Sequence, residues 1–251
     1  MNWKKVFVIA LDAVIATYLL LAITSFNKPE SKAAVCAQVQ INIDKNELDG
    51  FLNVDDIKKI LDRKKLYPLG QPIDDVSTRN IEETLRQNPF VEEAQCYKTQ
   101  GGSVCIRIVQ RMPVMRIMAE NGDNYYIDSR GNIMPNTQYA SNVIIATGHI
   151  TRKYAQQTLT AIGNLVVYDK FWQSEMVQLN VLGDGSLEMV PRVGEHIVYF
   201  GKPTDIQKKL TRLEKFYKYG LSQAGWNKYS YINLEFSNQI ICKRRSAKHP
   251  S

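Results

Sequence analysis

The sequence predicts an α+β chain: a single N-terminal transmembrane helix, a β-α-α-β-β module, and then a mainly antiparallel β domain with two helices. Three observations predict it. The chain opens on one unbroken apolar run. Beyond it, apolar residues recur either at helical spacing or at alternate positions, in segments of ordinary element length. Gly- and Pro-bearing pairs separate those segments where turns are needed. With 251 residues, 44% hydrophobic and 23% charged, the chain can bury a core without cross-links and is not of disordered composition.

The apolar run is Val6 to Phe26, 21 residues with Asp12 as the one charge. At about 1.5 Å rise per residue it matches a bilayer core of roughly 30 Å. A carboxylate at mid-membrane costs roughly 2.5–3.5 kcal/mol, and less nearer an end, where Asp12 lies. Lys4 and Lys5 keep residues 1–5 as a cytoplasmic tail and send the rest across. The rival is a cleaved signal peptide, whose apolar region is shorter, about 7–15 residues, and ends at a small-residue site. Here Asn27, Lys28 and Pro29 follow the run, and Ala34-Val35-Cys36 is a poor lipoprotein site because Val35 is bulky. Residues 27–37 read as a polar stalk.

The net charge of +7 divides unevenly: +2 over residues 1–43, −3 over 44–201 and +8 over 202–251. A slightly acidic body argues against a general nucleic-acid binder. Four cysteines on the outer side of a membrane could oxidise. Cys96 and Cys105 flank Gln100-Gly101-Gly102, so a turn there sets them across a hairpin. They are read either as a disulfide or as two small buried residues. There is no CxxC, hence no sign of zinc or redox-motif chemistry.

In the module (38–111), Val39–Ile43 alternates as a strand. A helix follows over Val54–Lys64, capped by Asn53, with Ile57, Ile60 and Leu61 inward. A second helix, Thr78–Gln87, is capped by Ser77 and stopped by Asn88-Pro89. Strands Phe90–Thr99 and Ser103–Arg111 form a hairpin, with Val104, Ile106 and Ile108 on one face. Met112-Pro113 opens the β domain (112–245). Its expected strands are Met115–Ala119, Asn124–Ile127, Val143–Ala146, Met176–Leu182, Ser186–Pro191, His196–Phe200, Tyr229–Phe236 and Gln239–Lys243. Its helices are Lys153–Val167 and, capped by Thr204, Asp205–Tyr219; residues 246–251 are a loose tail.

Three stretches carry a family likeness: Asn88-Pro89-Phe90-Val91-Glu92-Glu93-Ala94; Gln110-Arg111-Met112-Pro113 with Tyr125 to Ile133; and Tyr231 to Phe236 with Gln239–Lys243. In this order, behind an anchor, the chain resembles the bacterial cell-division family FtsQ/DivIB, whose membrane-proximal module is a POTRA domain. The resemblance implies a non-catalytic bitopic scaffold of the divisome at the septum, in the cytoplasmic (inner) membrane, with its bulk in the periplasm. It implies partners of the FtsB/FtsL type and, through them, influence on the septal peptidoglycan synthase complex. It also implies that the second helix and third strand of the POTRA-like module form an exposed edge. Two departures stand out. Only about five residues precede the anchor, so cytoplasmic contacts of longer-tailed relatives do not carry over. Lys243-Arg244-Arg245 stands where many relatives carry an apolar or aromatic residue.

The residues themselves favour binding over catalysis. There is no GxSxG, HExxH, P-loop or dinucleotide fingerprint, and His149, His196 and His249 lie far apart, so no enzyme activity and no cofactor is expected. Gln239, Ile240, Ile241 and Cys242 form a short terminal strand whose edge can receive a partner strand, or which is simply buried beside a basic gatekeeper. The resemblance favours the partner and extends it to Tyr231 and Phe236. On the preceding helix Ile206, Leu210, Leu213 and Tyr217 make an inward stripe, while Lys208, Arg212 and Lys215 form either a solvated face or a dock for an acidic helix. The rival functions are a POTRA-bearing assembly factor of an outer-membrane or secretion complex, and a membrane-anchored enzyme with a site that only the fold assembles.

Overall fold

The computed structural model describes residues 3–26, 35–44, 51–137 and 143–245. Residues 27–34 of the stalk and the tail 246–251 with His249 lie outside them. The N-terminal helix α1 runs over Trp3–Phe26. Its side chains from Leu11 to Leu21 are all exposed. Among the described residues no helix is long and apolar enough to cross a membrane.

The first module has the expected order: β1 (Gln38–Asp44), α2 (Val54–Arg63), α3 (Thr78–Arg86), β2 (Val91–Lys98) and β3 (Ser103–Gln110). Its sheet runs β1-β3-β2, with β1 parallel and β2 antiparallel to β3. The third strand is therefore central, and the edge beside the second helix is β2. Asn53 makes a capping box with Asp56, and the Ser77 side chain accepts from Asn80 N, satisfying amides that each helix start leaves open. Ile57, Leu61, Ile81 and Leu85 pack against Val104, Ile106 and Ile108. The hairpin does not join Cys96 to Cys105. Cys96 pairs with Ile106 and Tyr97 with Cys105, so the two thiols stand one register step apart on opposite faces of the sheet, and all four cysteines are free. Burial, then the nearby Glu82 carboxylate, pushes the Cys96 thiol up to about 12.

The second domain is one nine-stranded sheet in the order β12-β11-β10-β9-β8-β7-β4-β5-β6. Its strands are β4 (Pro113–Ala119), β5 (Asn124–Asp128), β6 (Ile133–Pro135), β7 (Ile144–Gly148), β8 (Met176–Val181), β9 (Leu187–Pro191), β10 (Ile197–Gly201), β11 (Tyr229–Asn233) and β12 (Ile241–Arg244). The sheet is mixed: β4–β7, β7–β8 and β10–β11 are parallel pairs. The first expected helix is continuous from Arg152, as α4 (Arg152–Tyr154), a π segment (Ala155–Leu159) and α5 (Thr160–Val167). The other is α7 (Ile206–Lys215), a π segment (Phe216–Leu221) and α8 (Ser222–Ala224). A further helix, α6 (Lys170–Glu175), is capped by Asp169. Trp172, Phe200, Leu213, Tyr217 and Ile232 lie in the core between helices and sheet. Thr204 is not the cap of α7: Asp205 holds that place at φ 53° with no side-chain cap bond.

The two domains meet through a small aromatic cluster. Phe51 stacks on Phe90 (5.6 Å between ring centres) and meets the edge of Tyr126 (5.4 Å), with Met134 beneath. Beside it the buried Asp128 pairs with Arg111 (2.5 Å) and accepts from the backbone of Arg130 (2.9 Å) and Asn132 (2.7 Å) and from Asn132 Nδ2 (2.8 Å). Burial works against ionisation there, but the hydrogen bonds from Asn132 and Arg111 outweigh it and hold the carboxyl below its usual range. Gly131 closes the turn at φ +79°, where an added Cβ would lie 2.7 Å from Gln156 O. Arg130 also reaches Glu92 (3.0 Å).

Candidate partner-docking edge

β12 is the last strand of the sheet, and its pairing fixes which main-chain groups remain open. Leu234 N donates to Tyr199 O (2.8 Å), so even-numbered residues here face β10 while Tyr231 and Asn233 face β12. These two pair with Lys243 and Ile241. Arg245 N, in the same phase, donates back to Lys228 O (3.0 Å). By strand alternation, the N–H and C=O groups of Cys242 and Arg244 point away from the sheet.

The side chains sort the other way. Ile241 is 46% exposed on the face that the helices leave uncovered, with Asn233 opposite. Cys242 turns inward against the core, and burial raises its thiol pKa. Lys243 and Arg244 are exposed. Gln239 and Ile240 precede the strand, Gln239 exposed and Ile240 half-buried. Phe236 is exposed in the β11–β12 turn, and Tyr231 is half-buried, its ring stacked with Tyr199 at 6.1 Å.

Helix α7 flanks this turn. Ile206, Leu210, Leu213 and Tyr217 are buried. Arg212 spans from the helix to the hairpin: Nη2 donates to Leu234 O (2.6 Å) and Nη1 to Ser237 O. Lys208 is exposed and pairs with Asp205 (3.0 Å); Lys215 is exposed. Thus Arg212 fastens the turn; Lys243 and Arg244 leave positive charge in solvent on the open strand itself, and on α7 Lys215 is exposed while Lys208 is exposed and paired with Asp205.

Two family models match the chain. One, described as FtsQ/DivIB, C-terminal related, covers residues 112–243; the other, a POTRA-like domain, covers residues 34–109. The chain belongs to the FtsQ/DivIB family. No curated protein matches it. Membership gives the chain a cell-division role and gives its two domains their places as POTRA-like module and family-specific β domain.

The structure of this FtsQ/DivIB-family chain adds residues that sequence reasoning missed. Lys209 is buried, and its Nζ donates to Phe200 O (2.7 Å) and Lys202 O (2.9 Å), tying α7 to the end of β10. Burial, then nearby Arg212, lowers its pKa. Its signal was spacing: it stands three residues after Ile206 and four before Leu213, on the inward stripe. His196 is buried with Nε2 2.7 Å from Tyr217 OH, and Trp226 meets the Tyr217 ring edge-on. Among the described residues, no group of three His, Cys, Asp or Glu side chains is placed to hold a metal ion.

Proposed function

We propose that this chain is a non-catalytic, single-pass scaffold of the bacterial divisome. It sits in the cytoplasmic (inner) membrane at the septum, with its N-terminus in the cytoplasm and its domains in the periplasm. The anchor reading rests on the Val6–Phe26 run and on the helical backbone over Trp3–Phe26. The β domain receives small bitopic division proteins of the FtsB/FtsL type and, with them, helps control the septal peptidoglycan synthase complex.

One observation carries the partner reading: the open outer edge of β12 beside the exposed cations of α7 and β12, in a chain of the FtsQ/DivIB family. A partner strand would engage the main chain of Cys242 and Arg244, and an acidic partner helix would lie along Lys208 and Lys215. The test is depletion combined with co-purification from membranes. Depleted cells should grow as undivided filaments, and FtsB/FtsL-type proteins should co-purify with the full-length chain. Normal division after depletion refutes the function; filaments without co-purification refute the partner class alone.

A further inference from the structure

The POTRA-like sheet has two edges, β1 and β2, and two side chains from α3 occupy that of β2. Glu82 Oε1 accepts the Cys96 N–H (2.7 Å), and Arg86 Nη2 donates to the Ala94 carbonyl (2.7 Å). The same two side chains pair with each other across one helical turn (3.0 Å). Ala94 and Cys96 thus direct main-chain groups outward, and the ion pair takes one donor and one acceptor at the middle of the strand. An uncovered strand of this length is a template for pairing with another chain.

The sequence of β2 is self-complementary about Gln95. Two β2 edges related by a two-fold axis through Gln95 would set Ala94 of one copy opposite Cys96 of the other. In that antiparallel pair the Cys96 N–H donates to the opposite Ala94 carbonyl, twice over. These are the two groups that Glu82 and Arg86 occupy. On the exposed face Glu93 would meet Tyr97 and Gln95 would meet Gln95, so no like charges oppose one another. From Glu93 to Lys98 the strand pairs with β3 without a register shift and holds no proline, so nothing else in its backbone prevents such pairing.

We infer that the Glu82–Arg86 pair is an edge guard: it keeps the POTRA-like sheet of one copy from joining that of a second copy through β2. The guard is independent of the β12 edge.

The experiment uses the full chain in detergent micelles, with mass measured by light scattering over about a hundred-fold concentration range. The native chain should stay monomeric. Glu82→Ala with Arg86→Ala should give discrete dimers. The exchange Glu82→Arg with Arg86→Glu keeps the helix ion pair but offers the Cys96 N–H a donor and the Ala94 carbonyl an acceptor, so it should dimerise as well. Adding Gln95→Glu to either variant sets two carboxylates at the axis and should restore the monomer. Gln95→Cys in the guard-free chain should cross-link on oxidation, and in the guarded chain it should not. The inference is overturned if both guard variants keep the native circular dichroism and melt but stay monomeric. It is equally overturned if they associate in a way that Gln95→Glu leaves unchanged, as a merely unfolded variant would. Loss of co-purification with division proteins is a separate readout and bears only on β12.

Discussion

The outward phase of Cys242 makes a sharp test of strand addition. Cys242→Pro deletes an N–H that has no acceptor within the sheet, and an edge position of this kind is where a strand tolerates proline. The fold should lose less than about 1 kcal/mol. A docked strand should lose more. The missing donor forfeits one bond, and the pyrrolidine ring stands where a partner carbonyl would approach, disturbing those on either side. At about 0.5–1.5 kcal/mol per net bond, two to three bonds amount to about 2–3 kcal/mol, or roughly 30- to 160-fold in Kd. Ile241→Pro is the contrast, because its N–H faces Asn233 and the change breaks the β11–β12 ladder itself. Calorimetric titration with an FtsB/FtsL-type partner, alongside thermal melts, separates the two. Cys242→Pro should bind weakly and melt near the native temperature, whereas Ile241→Pro should lose both. If Cys242→Pro binds as tightly as the native chain, no strand is added at β12.

Three further outcomes concern the scaffold. Asp128→Ala strands Arg111 at the domain joint and should cost about 3 kcal/mol in chemical denaturation. Because the folded carboxyl lies below its ordinary value of 3.8, the stabilisation is complete above that pH and fades as pH falls toward the folded value. Asp128→Asn should remove that part of the acid sensitivity, and an unchanged acid profile would contradict the pairing. Burial, then Arg245, lowers the folded pKa of His196 below 6.5, so its contribution is full above pH 6.5 and declines as pH drops below it. His196→Gln should flatten the melting temperature between about pH 6.5 and 5, and an equal slope in both proteins would sink this assignment. Lys209→Met leaves the Phe200 and Lys202 carbonyls without their donor and should destabilise the β domain by about 1–3 kcal/mol, with faster amide exchange at the start of α7; native exchange rates there would refute its role as a tie.

Local chemistry was legible in the sequence where a residue acts on its own neighbours. Asn53 and Ser77 start their helices because each bonds an amide three residues on, and Ile81 and Leu85 point inward because they are one turn apart. Long-range pairing was not legible. Alternation looks the same in parallel and antiparallel strands, so the mixed order of the nine-stranded sheet could not be read from it. Cys96 and Cys105 looked opposed, but the hairpin folds about Gly101 and leaves Cys105 opposite Tyr97. Short elements escaped too: β6 has three residues and α6 has six, too few for a period to show. At the candidate site the strand was visible, but the direction of its amides was not. Arg212 was visible as a cation, yet its carbonyl acceptors lie 22 and 25 residues away. Phe51, Phe90 and Tyr126 carried no individual signal, because their meaning lies in a contact between domains.

The order of the large sheet has a mechanical consequence. The joint with the POTRA-like module lies at β5 and β6, and the candidate dock lies at β12, the opposite end. At about 4.8 Å per strand, the two are separated by roughly 40 Å of sheet. Under the proposed function, tension between a membrane-anchored N-terminus and a docked partner would run across the strands, along the hydrogen bonds, and peel them apart one at a time. The weak point under such a pull is the four-residue β12, which could come away with its partner. Arg212, clasping the β11–β12 turn from α7, sits where that peeling would begin.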